Sequence, residues 1–219
     1  MTARALRRPT LAVIFILLLS GCGGESYQAI RNLESAGEAI VCFGDSLTEG
    51  VGAGGGEDYP SELSRQIGFP VLNAGRRGDT TAQALERLSG AVLTRNPRLV
   101  IVLLGGNDFL RQVPRSESRK NLTEIVRRVQ AGGAMVAIAG IRLGVFIDEF
   151  DAIYEDISKE FGTLYIPRVM QGILTDGKLK SDGIHPNGAG YRLMAERIAA
   201  QIKPLLREAD RRTGRSGFS

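Results

Sequence analysis

Short apolar runs that alternate with longer amphipathic stretches constrain this chain more than any other feature. The runs are Ala39–Phe43, Phe69–Leu72, Leu99–Leu104, Ala134–Ala139 and Leu164–Ile166, each bounded by Gly, Pro or Asn and several rich in Val and Ile. Buried parallel strands read this way, because helices cover both faces of such a sheet and leave no polar side to alternate. Between the runs, Leu122, Ile125, Val126 and Val129 fall at i, i+3, i+4 and i+7, the stripe of a helix packed on a sheet. Leu85, Leu88 and Val92 repeat that spacing, as do Tyr191, Met194, Ile198, Ile202 and Leu205. Such alternation calls for right-handed crossovers and a doubly wound α/β layer structure. Ligands bind outside the carboxyl ends of the strands in these sheets, so the residues just after each run are the ones to read for chemistry.

The 219 residues, 43% hydrophobic and 24% charged, suit one globular domain, and no repeat or Pro- or Ser-rich linker divides them. At the N-terminus, Arg4, Arg7 and Arg8 precede the apolar run Leu11–Leu19, which is shorter than the ~20 residues of a bilayer-spanning helix. Residues 1–21 therefore read as a signal peptide. Leu19-Ser20-Gly21-Cys22 is similar to the bacterial lipobox, which implies export, acylation of Cys22 and a membrane anchor at that residue. Gly23 stands where an Asp would signal inner-membrane retention in a Gram-negative host, which favours the outer membrane and a periplasmic setting. Residues 22–37 are polar and suit a tether, 38–207 form the folded domain, and 208–219 read as a basic, disordered tail.

The formal charge of +4 loses three positive charges with Arg4, Arg7 and Arg8, which leaves +1. That balance, with no Trp and no Lys/aromatic stripe, excludes a nucleic-acid groove. With Cys22 lipidated, Cys42 stands alone inside an apolar run and reads as a small core hydrophobe without a disulfide framework. No His/Cys spacing suggests a metal.

Polar, glycine-rich signatures follow three of the runs. They are Gly44-Asp45-Ser46-Leu47-Thr48-Glu49-Gly50, Asn73 to Thr81 with Gly78-Asp79-Thr80-Thr81 at its end, and Gly105-Gly106-Asn107-Asp108. A fourth, Ser181-Asp182-Gly183-Ile184-His185-Pro186-Asn187, lies near the end of the chain. A serine hydroxyl is a weak nucleophile without an adjacent base. The one histidine sits three residues after a carboxylate, so a tight loop can set Asp182 against one ring nitrogen while the other faces Ser46. Acyl transfer also needs donors placed where the oxyanion forms. Candidates are the backbone N–H of Ser46, the N–H of Gly78, which lacks a Cβ to obstruct it, and the side-chain amide of Asn107. Ser46 is equally a helix-capping type and Asn107 a turn residue, while Asp45 and Asp108 suit loop-fixing hydrogen bonds better than chemistry. Gly50-Val51-Gly52-Ala53-Gly54-Gly55 matches a dinucleotide fingerprint in letters only, since it lacks the strand–turn–helix context, and reads as a flexible rim loop.

With these four blocks in order, the chain resembles the GDSL or SGNH hydrolases from about Ala39 to Leu206, above all the bacterial thioesterase/lysophospholipase/arylesterase subgroup. The resemblance implies a three-layer α/β/α sandwich around a five-stranded, parallel, flavodoxin-like sheet, and no cofactor. It implies Ser46 as nucleophile and oxyanion donor, Gly78 and Asn107 as further donors, and Asp182 and His185 as the rest of a triad acting on acyl esters or thioesters. A monomer acting on a small-molecule ester or lipid is expected. Arg76 and Arg77 stand where relatives usually carry small or apolar residues, Leu103 replaces a commonly acidic residue, and Ile141–Phe146 lacks the subgroup's Pro-rich, Tyr-containing loop. Two alternatives remain open at this point: a carbohydrate O-acetylesterase whose arginines meet an acidic sugar, and a non-catalytic surface lipoprotein.

Overall fold

A computed structural model describes residues 27–141 and 148–215. The signal peptide, Cys22 and the loop that departs from the subgroup after Ile141 lie outside the described residues. Five parallel strands, β1 (Ala39–Gly44), β2 (Val71–Gly75), β3 (Pro97–Leu103), β4 (Met135–Ala139) and β5 (Leu164–Ile166), pair in the order β2-β1-β3-β4-β5. This is the flavodoxin-like order, with the connection reversing direction beside β1.

The helices are α1 (Ser46–Glu49), α2 (Tyr59–Ile67), α3 (Thr81–Ala91), α4 (Gly106–Leu110), α5 (Arg115–Ala131), α6 (Asp148–Phe161) and α7 (Gly188–Thr213). Alternate strand residues feed two cores. Ile40, Cys42, Leu99, Ile101 and Leu103 pack on one face with Leu63 of α2 and the whole Tyr191-to-Leu205 stripe of α7. Val41, Phe43, Val100 and Val102 pack on the other with Leu88 of α3, Leu122 to Val129 of α5 and Ile157 of α6. In β1, β3 and β4 nearly every residue is thus buried by a helix above or below it, which is why those runs show no polar alternation. Burial pushes the Cys42 thiol well above its ordinary range, in keeping with a core role.

Three boundaries differ from the sequence reading. The second strand begins at Val71, because α2 ends in a left-handed Gly68 and the Phe69 carbonyl accepts from Ser64 Oγ in the turn that follows. It is an edge strand, with Leu72 and Asn73 exposed, so hydrophobic burial alone marks it poorly. Residues 27–37 pack on the domain: Leu33 and Ser35 are buried, and Asn32 Nδ2 donates to the carbonyls of Gln130 and Ala134. At the other end α7 continues to Thr213, past the boundary at 207. Ala209 is buried, Asp210 forms a buried ion pair with Arg98 at 2.6 Å, and Arg215 donates to the carbonyls of Ala36 and Gly37.

Candidate active site

The first block turns sharply from strand to helix. β1 ends at Gly44, and Asp45, 2% exposed, caps α1 by accepting the Leu47 N–H on Oδ1 at 3.0 Å. Ser46 is the first residue of α1 and partly exposed, and among the described residues nothing accepts its backbone N–H. The cap belongs to Asp45, so Ser46 is spared that role.

Far along the chain, a short bridge between Lys180 and Pro186 closes the loop that carries the histidine. Asp182 Oδ1 accepts the backbone N–H groups of Ile184 and His185, both at 2.8 Å, while Oδ2 lies 2.8 Å from His185 Nδ1. These donors, the Ile184 amide foremost and then the His185 ring and amide, hold the Asp182 carboxyl down at about 2. A carboxylate there keeps the ring proton on Nδ1 and leaves Nε2 as an acceptor, 3.1 Å from Ser46 Oγ. Asn187, two residues on, caps α7 by accepting the Gly190 N–H at 3.1 Å, which fixes where the loop must end.

The glycine-rich stretch after Ser46 braces this arrangement. Gly52 has φ +97°, and a Cβ there would come within 2.1 Å of Ser181 Oγ and 2.6 Å of the Pro186 carbonyl oxygen. Tyr191 Oη donates to the Val51 carbonyl at 2.7 Å. The rim loop is thereby fastened to the histidine loop and to α7.

Gly78 also has a positive φ, +78°, a conformation that disfavours any side chain. Arg76 N donates to the Gly44 carbonyl at 3.0 Å, and Glu49 accepts both the backbone N–H and the guanidinium of Arg77, so the second block is hung directly on the first. Among the described residues no acceptor takes the Gly78 N–H. Asn107 is different: its Nδ2 donates to Asp45 Oδ2 at 3.2 Å and to the Asp79 carbonyl at 3.0 Å. Burial raises the Asp45 carboxyl to about 6, with the Leu47 amide and nearby His185 pulling the other way. Asp108 accepts from Thr81 N at 2.8 Å, from Thr81 Oγ1 and from Ser118 Oγ at 2.9 Å, tying α4 to α3 and α5.

The structure therefore gathers Ser46, Asp182, His185 and Asn107 through direct or shared hydrogen bonds, and places Gly78 beside them through the Gly44–Arg76 bond and the Asp79 carbonyl. A small cleft between Ser46, Asn107 and His185 has Leu47, Leu110 and Ile184 as its apolar wall. Among the described residues no group of three or more His, Cys, Asp or Glu side chains stands together to hold a metal. Sequence reading missed Arg111, whose Nη2 donates to the Gly78 carbonyl at 2.9 Å, and the two roles of Glu49. Nothing in one sequence predicts these contacts, since they join segments about thirty residues apart through exposed, ordinary charges.

This edge of the sheet is that of a hydrolase of the GDSL type: the GDSL-like lipase/acylhydrolase family matches residues 42–193, and the chain belongs to it and is a carboxylic ester hydrolase. Among its relatives, Esterase TesA of Pseudomonas aeruginosa is 29% identical over 201 residues, covering 87% of this chain and 98% of that protein. Thioesterase 1/protease 1/lysophospholipase L1 of Escherichia coli strain K12 is 33% identical over 180 residues, covering 78% of this chain and 86% of that protein. A crystal structure of TesA superposes with a TM-score of 0.72 at 30% identity, covering 77% of this chain and 99% of that one.

Proposed function

We propose that this hydrolase cleaves acyl esters or thioesters through a Ser46–His185–Asp182 triad and an acyl-enzyme intermediate. The observation that carries the reading is the unbroken relay from Ser46 Oγ to His185 Nε2 at 3.1 Å and from Nδ1 to Asp182 at 2.8 Å. Ser46 Oγ attacks the carbonyl carbon as its proton passes to Nε2. The Ser46 and Gly78 amides, to which no other described residue offers an acceptor, receive the oxyanion together with the Asn107 amide. To donate there, Asn107 gives up or shares one of its two internal bonds, to Asp45 or to the Asp79 carbonyl. The tetrahedral species collapses, the bond to the leaving oxygen or sulfur breaks, and Nε2 protonates the departing group. Water then attacks the acyl-serine, its proton going to Nε2 and returning to Ser46 as the acid leaves.

In the test, a fluorophosphonate probe labels the wild-type protein at Ser46 and fails on Ser46→Ala. Ser46→Ala and His185→Ala each lower kcat on p-nitrophenyl esters by about 10⁴–10⁶. A folded His185→Ala enzyme with full activity would remove the triad, and absence of labelling would return the protein to a non-catalytic binding role. Substrates named for the relatives, thioesters and lysophospholipids, are the first to assay, with an acetylated sugar as the contrasting arm. We further propose export and anchoring by lipid at Cys22, on the strength of the lipobox-like Leu19-to-Cys22 segment. Incorporation of labelled palmitate that persists in Cys22→Ser would refute it.

A further inference from the structure

The second block carries charge that the reaction at Ser46 does not use. Arg76 and Arg77 immediately precede Gly78, with side chains 54% and 71% exposed. Arg111, at the end of α4, reaches back to the same place: Nη2 donates to the Gly78 carbonyl at 2.9 Å and Nη1 to Gln83 Oε1 at 3.4 Å. Its Nη2 stands 3.4 Å from where a Gly78 Cβ would be. A guanidinium therefore lies against the glycine whose amide is free to meet an oxyanion.

The partners of these charges are unevenly distributed. Arg76 shares the carboxylate of Asp79 with Arg87, which is largely buried, also donates to the carbonyls of Gly44 and Ala74, and lies 4.7 Å over the Phe43 ring. Arg77 pairs with Glu49, and among the described residues Arg111 bonds neutral oxygens alone. Among the described residues four guanidiniums thus face two carboxylates, Asp79 and Glu49, and of these Asp79 is buried. Asp45 and Asp108 lie beneath, both buried with their oxygens turned to capping and loop bonds. Asp182 is committed to His185 and its own loop. Among the described residues, the layer that an approaching molecule meets beside Gly78 is accordingly three exposed arginines against one partly exposed glutamate.

We propose that Arg76, Arg77 and Arg111 form a recognition rim for an anionic group, carboxylate or phosphate, carried by the ester that Ser46 attacks. The inference rests on the ester-hydrolase reading and names its substrate class. Guanidinium forks suit both anions, binding them through paired N–H donors with geometric selectivity. An anion held there lies beside the oxyanion glycine, so its binding orients the carbonyl and adds to kcat/KM by long-range attraction that salt weakens.

Two matched pairs of esters test it on the full-length protein. For an anion on the acyl side, mono-p-nitrophenyl adipate is compared with p-nitrophenyl hexanoate; for one on the leaving group, 4-acetoxybenzoate is compared with phenyl acetate. The readout is the ratio of kcat/KM, anionic over neutral, since intrinsic reactivity cancels between enzyme variants. In at least one pair the ratio is expected to fall about five- to tenfold in Arg76→Gln or Arg77→Gln, as for loss of one partly exposed charge contact. It is expected to rise in Glu49→Gln, and to fall for the wild type between about 20 and about 300 mM salt, a range over which the Debye length drops severalfold. The pair that responds tells which side of the ester bears the anion. Ratios that stay fixed in both pairs, or esters that lose rate in parallel, overturn the rim while leaving hydrolysis intact. Failure of the wild type on all four esters and on fluorophosphonate would instead sink the hydrolase reading and this inference with it.

Discussion

Asp45 is the residue on which most of the site hangs. One carboxylate oxygen caps α1 and so fixes Ser46; the other holds the amide of Asn107. Its carboxyl sits at about 6 in the folded protein against 3.8 when free, because burial opposes the charge. A raised carboxyl pKa means that the folded state binds the extra proton first. Its stability contribution is complete below pH 3.8 and is lost as pH rises through about 6. Relative to Asp45→Asn, the wild type should therefore gain about 1 kcal/mol of unfolding free energy between pH 7 and pH 5, measured by urea denaturation at both. A difference that is flat with pH would contradict the buried, ionising carboxyl. Asp182, held at about 2, stays anionic through the same range and adds nothing to the acid limb of a pH–rate profile. Asn107→Ala should lower kcat by about 10²–10³, as loss of an oxyanion donor does, with a pulse of acylation kinetics to separate chemistry from release.

At the level of elements, α4 is the brace between the second and third blocks. Asn107 and Arg111 leave the same five-residue helix and its cap, one touching the Asp79 carbonyl and the other the Gly78 carbonyl. Arg111→Gln should then reduce kcat on a neutral ester about tenfold with KM changed less than about twofold, since the loss is of donor placement and not of ground-state binding. A rise in KM at constant kcat would show that Arg111 binds that ester directly. The central strands β1, β3 and β4 were legible because two helical layers bury almost every residue, and the first three blocks because each follows a strand in the chain. β2 was legible only in part, since an edge strand half exposed leaves a weak hydrophobic signal. The pairings of Glu49 with Arg77 and of Arg111 with Gly78 were not legible, because a surface charge in a sequence carries no record of what it meets in space. The stretch 50–55 reads in sequence as a flexible rim loop, yet its Val51 and Gly52 fasten the Ser46 loop to the His185 loop and to α7.

The whole molecule is closed by α7, whose last turns the composition alone assigned to a basic tail. Arg98 and Asp210, 3% and 4% exposed, join the start of β3 to that helix. Removing one member of a buried pair strands the other, at a cost of about 3–5 kcal/mol. Asp210→Asn should accordingly lower the thermal midpoint by roughly ten degrees or more, from about 2–4 °C per kcal/mol for a chain of this size. Activity at 25 °C should survive, because the pair is remote from Ser46. An unchanged midpoint would mean that the last turns of α7 contribute no stability.

The same closure gathers both described ends of the chain at one pole. Asn32 docks on the turn that precedes β4, Arg31 N–H bonds the Gly162 carbonyl just before β5, and Arg215 grips the backbone just before β1. All of these points lie at the amino ends of the strands, whereas Ser46, Gly78 and Asn107 follow the carboxyl ends. A partner domain, resin or label joined directly before Tyr27 or after Arg215 would begin its path at the pole opposite Ser46, leaving the cleft beside that serine turned outward.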